Sequence, residues 1–364
     1  MHLNRVDNLK KYITITTAAG ALASFSYLLG LFSGFENFLS DRLFLKKPLH
    51  PDIAIVEIDS QSINKIGQWP WDRKVFSEFI ENLKEYHPKT LAVDIVFSED
   101  SRAGKPDDLK FAKSIKNSGF PIILASEVFD SVSLLPISEL RTAHVGHVNI
   151  ILDKDGVARK LPKNLNGINP LGEEVAKIVD SQFQKSKSEK IVYAAPTKSI
   201  RRIPFWQILD GEKIENFENK IIFVGATSPD LHDEFEIPFG GKMPGVEIQA
   251  NIVNMLLYDY SLNSISKTAM FLWIFASALS SFGGILHIAP AILLFEKGVV
   301  ANLFHLNIAW IFSSIALFLH KYHAQRKEKK KMKNIFGKYV SKDVLEEILK
   351  NPDKIVLGGE EKEI

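Results

Sequence analysis

Three apolar runs constrain this chain most, because about 20 consecutive apolar residues find a stable place only in a bilayer or a large core. Ile13–Ser33 carries no charge and is rich in Leu, Ala and Phe. Thr268–Phe295 and Val299–Leu319 follow late in the chain, separated by Glu296 and Lys297. Arg5, Lys10 and Lys11 precede the first run, and a dense cluster from Lys321 to Lys333 follows the third. The excess of Lys and Arg marks the cytoplasmic side, so both ends read as cytoplasmic and the number of spans must be even. Three simple spans break that parity. It is restored if Thr268–Phe295 is a tight hairpin of two short helices turning near Gly283-Gly284; the alternative is one bent helix, with Val299–Leu319 partly in the interface. Ala21-Leu22-Ala23 resembles a signal-peptide cleavage site, but the apolar run continues through Phe25, Leu28, Leu29 and Phe32, as in an uncleaved anchor. No Asp, Arg or Lys lies inside a span, which argues against a transport pathway.

Residues 34–267 are then extracytoplasmic. With 45 Lys+Arg against 43 Asp+Glu, the chain has no global charge for gripping nucleic acid. With no cysteine, the domain must be held by its own core. Ile53–Ile58, Leu91–Phe97, Ile122–Ala125 and Ile221–Val224 read as buried strands. Arg73–Tyr86 reads as a helix capped by Asp72 and stopped by Pro88, with further helices at Asp107–Lys116 and Glu247–Leu257. The expected fold is an α/β extracytoplasmic sensor domain plus α-helical transmembrane segments.

The sequence has no G-x-S-x-G, no phosphate-binding G-x-x-x-x-G-K-[ST] and no H-E-x-x-H. His144 and His147 lack an evident third ligand and read as ordinary strand or loop residues. Asp153-Lys154-Asp155-Gly156 lacks the later Glu of a calcium loop and reads as a β-turn. Two places carry candidate binding residues. Trp69-Pro70-Trp71-Asp72-Arg73 sets two indoles at a helix start, where Trp69, Trp71 and Arg73 could stack a ligand or simply close the core. Ile221–Val224 runs into Gly225-Ala226-Thr227-Ser228, a small-residue loop at a strand's carboxyl end, with Asp233 following; ligands of open α/β sheets collect there, although a tight turn explains the loop equally well.

These segments, with Asp94–Phe97, His147-Val148-Asn149, Asp153–Arg159, Lys220–Thr227, Asp233 with Pro238, and Pro244–Glu247 with Ala250-Asn251, resemble in order and spacing the CHASE type 2 extracytoplasmic sensor domain of bacterial signalling receptors. The resemblance spans nearly all of residues 40–260. It implies a sensor domain followed by three spans, and it identifies no ligand.

The chain therefore reads as a cytoplasmic tail at 1–12, a span at 13–33, the sensor at 34–267, a compressed membrane region of three short passes at 268–320 and a transducer helix at 321–350. Phe336-Gly337-Lys338-Tyr339-Val340-Ser341, the helix ending at Ile348-Leu349 and then Leu357–Glu361 resemble the element directly ahead of class III adenylate/guanylate cyclase domains. The resemblance implies a homodimeric receptor with a cyclase output that begins at 351–364 and is truncated, so that no catalytic residue and no cofactor is expected here. Two divalent metal ions are implied only for the missing catalytic domain. The implied partners are membrane lipid, a second copy of the chain and an unknown extracytoplasmic ligand or protein. A non-enzymatic membrane protein binding an envelope component is the alternative.

Overall fold

A computed structural model describes residues 2–43, 46–280 and 285–336. In chain order the elements are α1 (His2–Leu28), α2 (Ser33–Ser40), β1 (Ile53–Ile58), α3 (Ser60–Ile66), α4 (Arg73–Leu83), β2 (Thr90–Val96), α5 (Lys105–Lys116), β3 (Ile122–Phe129), β4 (Val132–Leu134), β5 (His144–His147), β6 (Ile151–Leu152) and β7 (Ala158–Lys160). They continue as α6 (Leu171–Val179), β8 (Arg201–Pro204), α7 (Phe205–Leu209), β9 (Ile221–Ala226), β10 (Glu234–Glu236), β11 (Lys242–Pro244), α8 (Gly245–Leu257), β12 (Asn263–Ser264), α9 (Lys267–Leu279), α10 (Ile285–Glu296), β13 (Val299–Val300) and α11 (Leu303–Phe336). The described chain divides into two compact units, one built from segments within 33–266 and 289–303, the other from the remaining described segments.

The larger unit is built on a sheet with the order β4-β3-β2-β9-β1-β8, β5 pairing β3 beside the β4 hairpin. The ladders of β1, β2, β3, β5, β8 and β9 are parallel. The apolar runs predicted as strands are its centre, because a parallel strand covered on both faces needs apolar residues at every position. Alternation sorts them. Ala54, Val56, Leu91, Val93, Ile222 and Val224 face one core with Phe76, Phe79, Phe111 and Phe205 from α4, α5 and α7. Ile53, Ile55, Ala92, Ile123, Ile221 and Phe223 face a second core with Leu171 and Val175 of α6 and Val246, Ala250 and Val253 of α8. Chain order and spatial order disagree at β9, which slots between β1 and β2. That arrangement brings the loops after β1, β2, β3 and β9 to one edge of the sheet.

The other unit inverts the usual polarity. Its interior holds Thr16, Ser24, Ser277, His305 and Ser313, all at most 2 % exposed, while Leu22 is 63 %, Leu272 60 % and Phe318 67 % exposed. Hydroxyls tie the helices together: Ser24 Oγ donates to the Phe271 carbonyl (3.3 Å), Ser277 Oγ to Leu306 (2.8 Å) and Ser313 Oγ to Ala278 (2.7 Å). A Cβ on Gly20 would meet Ala278 at 3.1 Å, so α1 and α9 approach backbone to backbone.

Two boundaries differ from the sequence expectation. The first apolar helix ends at Leu28 rather than Ser33, since Gly30 (φ 66°) and Phe32 (φ 63°) take left-handed backbone and turn the chain into α2. Val299 and Val300 are not helical; they pair in parallel with Asn263 and Ser264, and the last helix starts at Leu303. Thr268–Phe295 does hold two short helices, joined by a side-chain bond from Trp273 Nε1 to His287 Nδ1 (3.1 Å). The expected turn at Gly283-Gly284 and the segment 337–364 lie outside the described residues. By length and composition one described helix, Leu303–Ile335, can cross a membrane; Leu9–Leu28 with Ser33–Ser40 passes only as a pair bent by 86°.

Candidate functional site

The carboxyl edge of the parallel sheet gathers most of the candidate residues into three separate groups. In the first, Trp71 is buried, its ring 5.0 Å from that of Phe205 and its Nε1 donating to the Gly67 carbonyl (2.9 Å). It is a core residue that closes the turn into α4. Trp69 packs edge-on against it at 5.0 Å and is half-buried. Arg73 Nε meets Asp108 Oδ1 at 3.3 Å, its Nη2 donates to the Glu99 carbonyl (2.7 Å), and its guanidinium lies 4.5 Å from the Phe97 ring centre. Trp69, Arg73 and the 95–102 strand end line a cleft of about 290 Å³. Asp72 occupies the cap position of α4 but makes no capping bond; Asp107 Oδ2 accepts the Arg73 N–H at 2.7 Å instead.

The second group surrounds Arg202. Residues of alternating parity put Glu57 of β1 and Arg202 of β8 on the α8 face, where a parallel pair of strands brings side chains into reach. Arg202 Nη1 donates to Glu57 Oε2 (3.1 Å) and Nη2 to Glu247 Oε2 (2.6 Å). Thr227 donates to the same Glu57 oxygen at 3.2 Å, and Glu247, fully buried in the first turn of α8, also accepts from Thr197 (2.7 Å) and the Lys198 N–H (2.8 Å). A carboxylate in a helix's first turn also complements the helix dipole.

The third group is acidic. Asp94 of β2, Glu127 of β3 and Asp233 share the α8 face of the sheet edge. Burial pushes Asp94 well above the ordinary carboxylate range, with repulsion from Asp233 and Glu127 adding to it. Asp233 is pushed up to about 6 by burial, Glu127 and Glu234. Its carboxylate lies against the start of α8: a Cβ on Gly245 would sit 2.8 Å from both its oxygens. Gly225 is equally constrained, since a Cβ there would come within 2.6 Å of Val246 Cβ.

Of the five sequence candidates, Trp69, Trp71 and Arg73 thus line one cleft, while Thr227 and Asp233 lie apart from it on the same edge. Reading the sequence alone did not single out Glu57 and Arg202, or Glu127, which strand order brings beside their partners in the second and third groups respectively. Elsewhere, Arg159 is 4 % exposed and is held by Asp41 (2.6 Å), Asp153 (3.0 Å) and Asp155 (2.8 Å). The Asp153–Gly156 stretch is the expected β-turn, closed by the Gly156 N–H on the Asp153 carbonyl (2.9 Å) with Gly156 at φ 81°. His144 and His147 lie on β5, His147 buried with Nε2 on the Lys163 carbonyl (2.8 Å). Among the described residues no three His, Cys, Asp or Glu side chains have the geometry of a metal site.

Comparison with known families gives one match, to the CHASE2 domain, over residues 16–285. No curated protein and no solved structure matches the chain.

Proposed function

This chain belongs to the CHASE2 domain family, the sensor domain of signalling receptors, and from that premise we propose a membrane-bound receptor whose extracytoplasmic α/β domain regulates a cytoplasmic adenylate/guanylate cyclase output. The observation that carries the membrane part is the inverted polarity of α1, α9 and α11. Hydroxyls and small residues pack inside while Leu and Phe face outwards, an arrangement stable in lipid and unfavourable in water. Helix α11 supports it further. Its 34 residues extend about 50 Å, more than the roughly 30 Å hydrocarbon core, so its Lys-rich half emerges on the cytoplasmic side. The cyclase output rests on the resemblance of Phe336–Glu361 to the segment ahead of class III catalytic domains, and pairing of two chains along Met332, which is exposed, with Phe336 and Tyr339 is part of the same reading.

The chain has no cysteine, so single cysteines report sidedness without background. In intact cells a membrane-impermeant maleimide should label Lys154→Cys and leave Lys330→Cys untouched until the membrane is opened. Labelling of Lys330→Cys in intact cells would overturn the topology. An active class III catalytic domain joined after Glu361 should lose activity when 321–335 is replaced by a flexible linker; undiminished activity would sink the output reading.

A further inference from the structure

We propose that the sensor domain binds a small organic anion, a phosphate or carboxylate group on an apolar body of about one ring, in a cavity remote from the sheet edge. The cavity measures about 270 Å³, just below the range of about 300–1,000 Å³ for drug-sized ligand sites, which suits a small ligand. Several segments of the larger unit form it: the chain from the end of α2 to Lys47, Arg159, the 190–193, 238–239 and 259–262 segments, and the 295–300 turn before α11.

Its walls are aromatic. Tyr193 and Phe239 pack edge-on at 5.8 Å, and Tyr260 stacks on Tyr258 at 5.3 Å. Tyr193 spends its hydroxyl on the Ala158 carbonyl (2.7 Å), which leaves its ring as an apolar face. Lys47, Lys190 and Lys297 line the cavity together with Asp41, Asp259 and Glu296, and among the described residues neither Lys47 nor Lys190 has a carboxylate within 4.0 Å. Lys47 Nζ lies 5.7 Å from the Tyr260 ring centre, placing its ammonium beside an aromatic wall. Of the other two cations in the lining, Lys297 follows Glu296 in the chain, and Arg159 is already neutralised by three aspartates and offers a ligand little. An ammonium without a carboxylate partner beside an aromatic wall offers an ion-pairing site to an anion supplied from outside. The apolar walls select for a hydrophobic body attached to that anion.

This inference rests on the sensor reading and names the class of its ligand. Both an anionic lipid headgroup and a soluble aromatic anion fit the chemistry, so the test separates them. Phenyl phosphate is titrated calorimetrically into the full chain held in phosphatidylcholine nanodiscs. Binding is expected, with at least a five-fold loss in both Lys47→Gln and Lys190→Gln and a comparable loss in Phe239→Ala, all with thermal midpoints close to the parent. Absence of binding, or equal binding by the lysine variants, overturns the site. Suppression of phenyl phosphate binding in phosphatidylglycerol discs identifies the lipid headgroup as the ligand; equal binding in both discs identifies a soluble anion. Disulfide formation at Met332→Cys, read with and without phenyl phosphate, tests signalling apart from binding: no change there removes this cavity as the receptor's input and leaves the site intact.

Discussion

The carboxylate of Asp107 accepts the backbone N–H of Arg73 at 2.7 Å, so the first turn of α4 is capped by a residue at the start of α5, 34 positions away. The same oxygen takes the Ser101 hydroxyl at 2.6 Å, and neighbouring Asp108 accepts the Ser101 N–H at 3.0 Å and pairs with Arg73. A cap supplied across the fold stabilises both helices and their docking. Asp107→Ala should therefore cost about 2 kcal/mol, at the upper end for a lost cap, while Asp72→Ala should cost a few tenths. Chemical denaturation followed by tryptophan fluorescence distinguishes the two; equal losses would contradict the assignment.

Arg159→Ala should destabilise the larger unit by about 3 kcal/mol or more, since it leaves Asp41, Asp153 and Asp155 facing one another without their common cation. Arg159→Lys should recover only part of this, because an ammonium cannot reproduce the paired Nε and Nη2 contacts to Asp41 at 2.9 and 2.6 Å. Thermal melts of the two variants are the measurement.

Asp233 gives a pH dependence of unusual sign. Its folded-state value, about 6, lies above the unfolded value of 3.8, so the folded state holds the proton more tightly between those limits. Its contribution is therefore most favourable below pH 4 and is lost as pH rises through 6. His147 and His50, both lowered by burial, oppose this by destabilising the fold as pH falls below 6.5. The clean observable is the difference between Asp233→Asn and the parent. The variant should be the more stable by about 1 to 2 kcal/mol at pH 7.5, and the two should converge near pH 4. A difference independent of pH would refute the assignment.

Gly225→Ala should cost about 1–3 kcal/mol, because the new methyl would overlap Val246 and force α8 off the sheet. Gly211→Ala, at an open turn with φ 71°, should cost less, since only backbone strain is added. Denaturation midpoints compare them directly.

The centre of the fold was readable because its strands are covered on both faces and so carry apolar runs at every position. β8 was not. Arg201-Arg202-Ile203-Pro204 lies at a sheet edge, where charge and Pro replace the apolar run. α6 was hidden by Gly172, a poor helix former kept small because a Cβ there would come within 2.6 Å of Ile252 Cγ2. The turn ending α1 was missed because an unbroken apolar run carries no sign of where a helix bends. Of the candidate residues, Trp71 and Arg73 were legible as a helix entrance, but their burial and pairing depend on Phe205 and Asp108, distant in sequence. Asp233 is legible as a loop residue after a strand's carboxyl end, whereas Asp94 and Glu127 become its neighbours only through strand order.

The pairing of β12 with β13 has a mechanical meaning. Two backbone bonds, from the Asn263 N–H to the Gly298 carbonyl (2.8 Å) and from the Ile265 N–H to Val300 (3.0 Å), fasten the chain just before α11 begins at Leu303. The Leu303 N–H is also held, by Glu36 of α2, at 3.3 Å. So short a ladder yields far sooner than the main sheet, and one step of register displaces its strand by about 3.3 Å. It is a shear pin: two residue pairs that fix where the long helix starts, with far fewer bonds to break than the main sheet.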